Sequence, residues 1–329
     1  MDIVSTKLSE TIKWVKDFNS RNMLTMIMLF IILFFTIFYI VQAVNRGKNN
    51  CETIRKYSPQ EMKSISDEVK ALPIKKTFIK TAYNCCCTGG FKNDYVDGCA
   101  LTNCAKQGVR ALDFTIYSLH GKPVISASTL PSKRYKEMYN SLPFQATMTK
   151  VKQLFLEDPV NCTNTKDPLF LIFRIQSDRP DLFSKMAEAL HTTFGYGSSV
   201  NRLFAPAKDF DNVTIGQLMG KVVILVERTG PKIQSILSPL VALELGTLDH
   251  KIYRETDAYD VLIAGQEPNK EHVNILYPDY QATSNNYDYE TVGIQQGFQF
   301  IGMNFQLEDL YLDAYKSKFD CSVLAIPVK

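Results

Sequence analysis

The sequence is short of several features that would assign a function directly. Its 329 residues contain only four histidines and one tryptophan, and the formal net charge is +3. This small charge, with no lysine and arginine block interleaved with aromatic residues, argues against a nucleic-acid partner. The chain shows no internal repeat and no low-complexity segment. It also lacks paired C-x₂-C motifs, so the spacing of the common zinc modules is absent.

What the sequence does contain is a globular composition and one long apolar run. Hydrophobic residues make up 45% and charged residues 22%, as in ordinary folded domains. The run from Met23 to Val44 carries no charge, and a membrane-spanning helix needs roughly 20 apolar residues. Ala43 alone is a poor cleavage signal. We therefore expect an uncleaved transmembrane helix at residues 23–44, with a cleaved, unusually long signal as the alternative.

The flanks of this run do not fix its orientation. Basic residues lie on both sides, so the positive-inside rule does not decide. Residues 1–22 form a polar segment, either a short amphipathic helix or a frayed terminus. Sequons at Asn161 and Asn212, together with eight cysteines, favour a lumenal or exterior position for the rest of the chain. A cytosolic position stays open.

The rest of the chain alternates between predicted strands and helices. Residues 45–73 are predicted to be a polar linker and a helix, because Ser58-Pro59-Gln60-Glu61 has the pattern of a helix start. Strands are predicted at 77–82, 109–116, 168–175, 222–226, 261–263, 273–276, 298–304 and 322–326, and helices at 97–106, 144–155, 180–194 and 307–318. This alternation predicts an α/β fold, and its length suits a closed β/α barrel over residues 74–329.

One predicted strand–turn–strand segment carries unusual charges. In GVRALDFTIYSLHGKPVI, Arg110 and Asp113 lie within a largely apolar strand. A buried charge is unfavourable unless it is paired. The two residues therefore indicate either a structural ion pair or the rim of an active site.

This segment resembles the X region of phosphoinositide-specific phospholipase C. PLFLIFRIQSD is similar to the strand that follows in that family, and YPDYQATSNNYDYE is similar to its Y region. The similarity runs in order, with the X region at about 74–196 and the Y region at about 215–329. The resemblance implies a distorted TIM barrel and phosphodiester hydrolysis on phosphoinositides.

The residues that the family uses for acid–base catalysis are missing. The family has two histidines, and the resemblance puts Tyr83 at the first position and Ala127 at the second. A tyrosine with an ordinary pKa near ~10 is a poor base at neutral pH, and alanine cannot transfer a proton. His120, in the predicted turn, is the least implausible substitute. The other three histidines are predicted to have structural or surface roles.

The Ca²⁺ ligands implied by the resemblance are also depleted. Asn84 and Asp113 remain at ligand positions, whereas Ala111 and Arg174 replace two glutamates. Two oxygen-bearing side chains are too few for a cation that takes six or more ligands. We therefore expect no confident metal site and no other cofactor.

The phosphate-binding side of the family's site is partly retained. Arg228, Ser284 and Tyr287 correspond to a lysine, a serine and a tyrosine of the family. A phosphoinositide headgroup pocket is one interpretation, and residues that only pack the barrel are the other.

The cysteines offer a further alternative. If the barrel is exterior, we expect a disulfide from Cys85-Cys86-Cys87 to Cys99 or Cys104. If it is cytosolic, we expect buried free thiols. A nucleophilic cysteine would need a nearby base such as histidine, and none is nearby in sequence.

The sequence thus predicts a membrane-anchored, phospholipase-C-like barrel that is catalytically inactive. It would act as a lipid-headgroup-binding or structural membrane module. One alternative is an active phosphoric diester hydrolase with a rearranged site. The other is a scaffold protein of a membrane assembly or viral envelope.

Overall fold

The computed structural model describes residues 2–130, 135–198, 200–227, 236–266, 268, 270–283 and 285–326. The chain forms two compact units, Met1–Arg46 and Gly47–Lys329. The second unit therefore begins upstream of residue 74, where the sequence predicts the start of the barrel.

The first helix is longer than predicted. α1 spans Asp2–Ile54, and its segment Asn22–Ile54 is long and apolar enough to cross a membrane. The predicted polar linker after residue 44 is wrong, because the helix continues through it. No proline interrupts this stretch and Gly47 is its only glycine, so the helix has no strong local reason to end there.

The helix predicted from Ser58 is also wrong. The structure has only a short helix here, α2 (Asp67–Ala71), whose N-cap Ser66 accepts a hydrogen bond from the Val69 N–H. Gln60, inside the supposed capping motif, instead donates its side-chain amide to the carbonyls of Lys316 and Phe319 at 2.7 and 2.8 Å. Tertiary hydrogen bonds therefore outweigh a local capping preference.

The barrel unit contains strands and helices at most of the predicted places. The strands are β1 (Thr77–Ala82), β2 (Ala111–Leu119), β3 (Lys122–Ser126), β4 (Leu142–Pro143), β5 (Leu169–Ile175), β6 (Val222–Glu227), β7 (Val241–Leu245), β8 (Ile252–Arg254), β9 (Ile275–Tyr277), β10 (Phe300–Met303) and β11 (Val323–Ala325). The helices that follow α2 are α3 (Gly98–Lys106), α4 (Phe144–Lys152), α5 (Pro180–Phe194), α6 (Ile215–Leu218), α7 (Glu255–Ile263) and α8 (Leu310–Lys318).

One predicted strand is a helix in the structure. Val261, Leu262 and Ile263 form the last turn of α7, because a three-residue apolar run is too short to distinguish the two periods. The neighbouring strands β7 and β8 were not predicted, because they are only five and three residues long.

The strands form a nearly closed parallel barrel. Their order is β7-β6-β5-β2-β1-β10-β9-β8, with β3, β4 and β11 pairing outside this path. Every residue of β1 and β5 is buried, as expected for parallel strands covered on both faces. Within the described residues no ladder joins β7 to β8, and we call this gap the seam. The α/β, TIM-barrel-like prediction is confirmed.

Arg110 has a structural role in this barrel. Its guanidinium is fully buried and donates to the carbonyls of Pro168, Phe155 and Asp167 at 3.1, 2.8 and 2.5 Å. The arginine therefore secures the connection that leads into β5. It is part of neither an ion pair with Asp113 nor an active-site rim.

Candidate functional site at the barrel mouth

The carboxyl ends of the parallel strands bring the predicted site residues together. We call this end the barrel mouth, where active sites of β/α barrels are found. Tyr83 and Asn84 follow β1, Asp113 lies in β2, and Arg174 lies near the end of β5. All four side chains are at most 4% exposed. The structure thus brings these four residues together at the mouth, and Arg174 hydrogen-bonds to two of the others.

Arg174 is bound by the two residues expected to hold a cation. Its Nε and Nη2 donate to Asp113 Oδ1 and Oδ2 at 2.8 and 2.7 Å, which makes the contact bidentate. Nη2 also donates to Asn84 Oδ1 at 2.6 Å. Planar, bidentate contacts of this type are the strong form of the arginine–carboxylate hydrogen bond.

The remaining acceptor positions are occupied as well. Asp113 Oδ1 accepts the Tyr277 hydroxyl at 2.9 Å, and Oδ2 accepts the Asn84 N–H at 2.9 Å. Asn84 Oδ1 accepts the Thr115 hydroxyl at 3.0 Å. Each of these side-chain oxygens therefore has two donors, and the network is satisfied within the protein.

The charge of Arg174 is stabilised by its surroundings. Burial disfavours the charged guanidinium, but Asp113 and Tyr83 outweigh that effect and raise the pKa of Arg174 above its ordinary value. The guanidinium carbon lies 4.6 Å from the ring centroid of Tyr83 and 5.5 Å from that of Tyr277. Both distances are within the range of cation–π attraction.

Among the described residues, no histidine is hydrogen-bonded to Tyr83 or Ala127. Tyr83 is buried, and its hydroxyl accepts a hydrogen bond from Arg254 Nη1 at 3.2 Å. Ala127 is fully buried and its carbonyl accepts the Glu137 N–H at 3.0 Å. The first position therefore holds a tyrosine beside a permanent cation, and the second holds only the methyl group of an alanine.

His120 does not replace the missing histidines. It lies exposed in the turn between β2 and β3 and adopts a left-handed backbone conformation with φ 49°. It lies seven residue steps along the chain from Asp113, a distance of roughly 23 Å for an extended strand. Its predicted turn is confirmed, and its proposed catalytic role has no geometric basis.

The mouth contains a second arginine that the sequence did not predict. Arg254, at the end of β8, stacks on the ring of Tyr280 at 3.6 Å and donates to the Pro278 carbonyl at 2.8 Å. Among the described residues, its Nη2 and Glu227 Oε2 are buried without a hydrogen-bond partner. Burial raises the pKa of Glu227. The available signal was Arg254 itself, but β8 was not recognised as a strand.

Of the three residues predicted to contact a phosphate, the structure describes Tyr287. Tyr287 is buried, and its hydroxyl donates to the Gly302 carbonyl at 3.1 Å. Arg228 and Ser284 lie outside the described residues. An open cavity of about 480 Å³ instead lies beside the seam, where Glu227, Lys251 and Tyr253 contribute to its wall.

The donor set at the mouth does not fit Ca²⁺. Asn84 and Asp113 are the remaining oxygen ligands, and both already bind Arg174. Ala111 supplies no ligand atom, and the Arg174 guanidinium would repel a cation. Ca²⁺ needs six or more oxygen ligands, and it would have to displace the Arg174 guanidinium to reach these two.

The predicted disulfide pairing is wrong. Cys51 pairs with Cys99, with 5.8 Å between their Cα atoms. This pairing was missed because α1 continues to Ile54 and thereby carries Cys51 to α3. Cys85, Cys86, Cys87 and Cys104 are buried free thiols. Burial raises the pKa of Cys85 and Cys87 well above the ordinary value, so these thiols are not activated nucleophiles.

Solved structures share this architecture. PLC21 from L. pealei superposes with a TM-score of 0.63 at 15% identity, over 78% of this chain and 38% of that chain. PLC21 from S. officinalis gives 0.63 at 13% identity, over 78% of this chain and 37% of that chain. The chain thus spans under two-fifths of the PLC21 proteins.

A bacterial structure is matched over nearly its whole length. The calcium-dependent phosphoinositol-specific phospholipase C from Pseudomonas sp. gives a TM-score of 0.52 at 11% identity, over 81% of this chain and 99% of that chain. No protein-family model matches the sequence, and no curated protein matches it. At these identities the likeness establishes architecture alone, and the barrel unit has the fold of the phosphoinositide-specific phospholipase C catalytic barrel.

Proposed function

We propose that this protein is a membrane-anchored phospholipase-C-like barrel that does not hydrolyse phosphodiesters and serves as a structural or binding module at a membrane. One observation carries the proposal. Arg174 binds Asp113 through two hydrogen bonds and Asn84 through a third. A cation that belongs to the protein thus engages the two residues that the resemblance assigns to Ca²⁺.

Burial of the mouth supports the same conclusion. Tyr83 is 2% exposed, and Asp113 and Ala127 are fully buried. The segment after β1 packs on Tyr83, because the ring centroids of Phe91 and Tyr83 are 5.5 Å apart. The Phe91 N–H donates to the Ala282 carbonyl at 3.0 Å. A lipid phosphodiester would have to separate these contacts before its phosphorus reached Tyr83. It would then find no imidazole at either predicted position.

Anchoring is proposed from the apolar helix. The segment Asn22–Ile54 suits a membrane span by length and composition. We place the barrel on the exterior or lumenal side, because the Cys51–Cys99 disulfide is typical of oxidising compartments. The sequon residue Asn212 is exposed and is therefore accessible to glycosylation. Peptide mapping should find the Cys51–Cys99 bridge and a glycan on Asn212. Free thiols at both cysteines would contradict this placement.

The absence of catalysis is tested on the full chain in detergent. Mixed micelles containing phosphatidylinositol should show no turnover above a protein-free blank, with Ca²⁺ or with a chelator. Turnover that Tyr83→Phe abolishes would overturn the proposal. Tyr196→Phe is the matched control, because Tyr196 is 85% exposed.

Headgroup binding is the second candidate, and the cavity beside the seam favours it. Lys251 offers a cation for a phosphate, and Glu227 offers a carboxylate for sugar-like hydroxyls. Flotation with phosphatidylinositol vesicles, compared with phosphatidylcholine vesicles, tests this candidate. We expect Lys251→Ala to reduce the phosphatidylinositol-dependent fraction. Equal flotation with both lipids would contradict headgroup binding and would attribute membrane attachment to α1 alone.

A further inference from the structure

The amino ends of the last barrel strands hold a second cluster of polar residues. His250 lies just before β8, His272 lies just before β9, and Asp211 lies in the segment before α6. The barrel mouth is at the opposite ends of these strands. From this cluster we propose that Asp211, His250 and His272 form a binding site for a divalent transition-metal ion of the Zn²⁺ class.

The distances are close to those of a coordination shell. Asp211 Oδ2 is 3.1 Å from His250 Nε2 and 2.8 Å from His272 Nδ1. One ligand atom of each residue lies within 4.8 Å of the other two. Zn–N and Zn–O bonds of about 2.0–2.1 Å in a tetrahedron separate neighbouring ligand atoms by roughly 3.3 Å. An opening of a few tenths of an ångström would therefore admit the ion.

The carboxylate is already oriented for this role. Asp211 Oδ1 accepts the Val273 N–H at 2.8 Å, which leaves Oδ2 directed at the two imidazoles. The His250 backbone N–H donates to Thr247 Oγ1 at 3.0 Å, and the His272 carbonyl accepts the Asn274 side-chain amide at 3.0 Å. These bonds fix the backbone segments that carry the two imidazoles.

The local charge permits a cation. One lysine adjoins this cluster through the backbone, because the Lys75 N–H donates to the Asp211 carbonyl at 3.3 Å. Its ammonium is paired with Glu271, with 2.7 Å between Nζ and Oε2. The lysine is therefore neutralised by a carboxylate outside the cluster, and Asp211 keeps its charge for the ion.

The chemistry of the donors selects the class of metal. Two imidazoles and one carboxylate suit Zn²⁺ and its transition-metal neighbours, whereas Ca²⁺ and Mg²⁺ prefer all-oxygen sites. The side chains of His250 and His272 are 19% and 32% exposed, so solvent can supply the fourth ligand. Bound metal would connect the starts of β8 and β9 to the segment before α6, next to the seam.

Zinc binding is tested on the metal-stripped full chain in detergent. Calorimetric titration with ZnCl₂ should give one equivalent for the wild type. His250→Ala/His272→Ala should weaken the affinity by about 100-fold or more, because losing even a residue that only orients a ligand typically lowers affinity roughly 10–100-fold. His120→Ala/His191→Ala should bind as the wild type does.

Two further measurements keep the test decisive. Asp211→Asn retains the acceptor for the Val273 N–H, so it should fold and still lose Zn²⁺ affinity. Co²⁺ in place of Zn²⁺ should give a spectrum without thiolate charge-transfer bands. No binding by folded wild type, equal binding by the His250/His272 double variant, or thiolate bands would each overturn the proposal.

Discussion

The two ends of the barrel use buried charge in opposite ways. At the mouth, Asp113 faces a permanent cation, and Arg174 occupies both of its oxygens. At the amino end, Asp211 accepts hydrogen bonds at one oxygen from two histidines, which are neutral ligands when they bind a metal. Burial opposes ionisation there, yet hydrogen bonds from His250, His272 and the Val273 N–H lower the pKa of Asp211 to about 2.

The partners of the two aspartates explain this difference. Asp113 is already paired with an arginine, whereas Asp211 meets two imidazoles that can bind a metal ion. A guanidinium fixed on β5 cannot leave, so the mouth is neutralised as soon as the chain folds. A carboxylate that meets two imidazoles near solvent has no such built-in cation. The presence of carboxylates in a barrel therefore says little about metal binding until their partners are known.

Removing the Arg174 guanidinium should have the largest effect on the free energy of unfolding. Arg174→Met leaves Asp113 buried with an unpaired charge, and removing one partner of a buried pair costs about 3–5 kcal/mol. Urea unfolding of the full chain in detergent measures this loss. Arg179→Met is the matched control, because its pair with Asp181 is exposed and contributes less than about 1 kcal/mol. Similar losses for the two variants would contradict the contrast.

Removing zinc should have the next largest effect. At a free Zn²⁺ concentration 100-fold above the dissociation constant, binding to the folded state contributes about 2.7 kcal/mol. Chelation should therefore lower the unfolding free energy of the wild type and leave Asp211→Asn unchanged. A chelator effect of equal size in both proteins would assign the metal to another place.

Lys80 provides a contrast with Arg174, because it is a buried basic residue whose acceptor is a neutral amide. Lys80 is fully buried, and Gln60 Oε1 is its hydrogen-bonded oxygen among the described residues, at 2.5 Å. Burial lowers the pKa of Lys80 from 10.5 to about 7. Between these values the unfolded chain binds a proton that the folded chain lacks, so stability should rise with pH from about 7 towards 10.5.

Replacing this lysine tests that pH dependence. Lys80→Met should raise stability at pH 7 by about 1–3 kcal/mol, because it removes a buried group that would otherwise be charged. It should also flatten the slope of stability between pH 7 and 10. The exposed Lys63 gives the control, Lys63→Met, which should keep the slope. A slope unchanged in Lys80→Met would show that another group titrates.

The smallest effect is expected from Tyr83→Phe. The ring that stacks on Arg174 is kept, and only the hydrogen bond from Arg254 is lost. Such a bond contributes about 1 kcal/mol. Thermal unfolding should detect this small decrease, and a loss as large as that of Arg174→Met would mean that the hydroxyl has a greater role than the ring.

Much of the architecture was predictable because the longer strands and helices have a clear hydrophobic pattern. The strand at 77–82 and the helix from Pro180 to Phe194 agree with prediction, since long periodic segments specify their structure locally. The helix expected after Ser58 and the strand expected at Val261 failed for lack of such a signal. Tertiary hydrogen bonds through Gln60 decided the first, and helical continuation decided the second.

The site was predictable only in part. The family resemblance assigned Asn84 and Asp113 to ligand positions and put Arg174 in the place of a glutamate. It did not predict that the guanidinium would bind both ligands, because contacts between β2 and β5 depend on the closed barrel. The amino-end cluster was missed because its ligands, Asp211, His250 and His272, follow no motif spacing.

We propose that Arg174 takes the role of a bound Ca²⁺ at the barrel mouth. A Ca²⁺ titration of the full chain in detergent, followed by thermal unfolding, tests this proposal, with Asp113→Asn titrated in parallel. We expect no Ca²⁺-dependent shift of the wild-type melting temperature. A saturable rise that Asp113→Asn removes would show that Ca²⁺ displaces the guanidinium, and Arg174 would then not replace the ion.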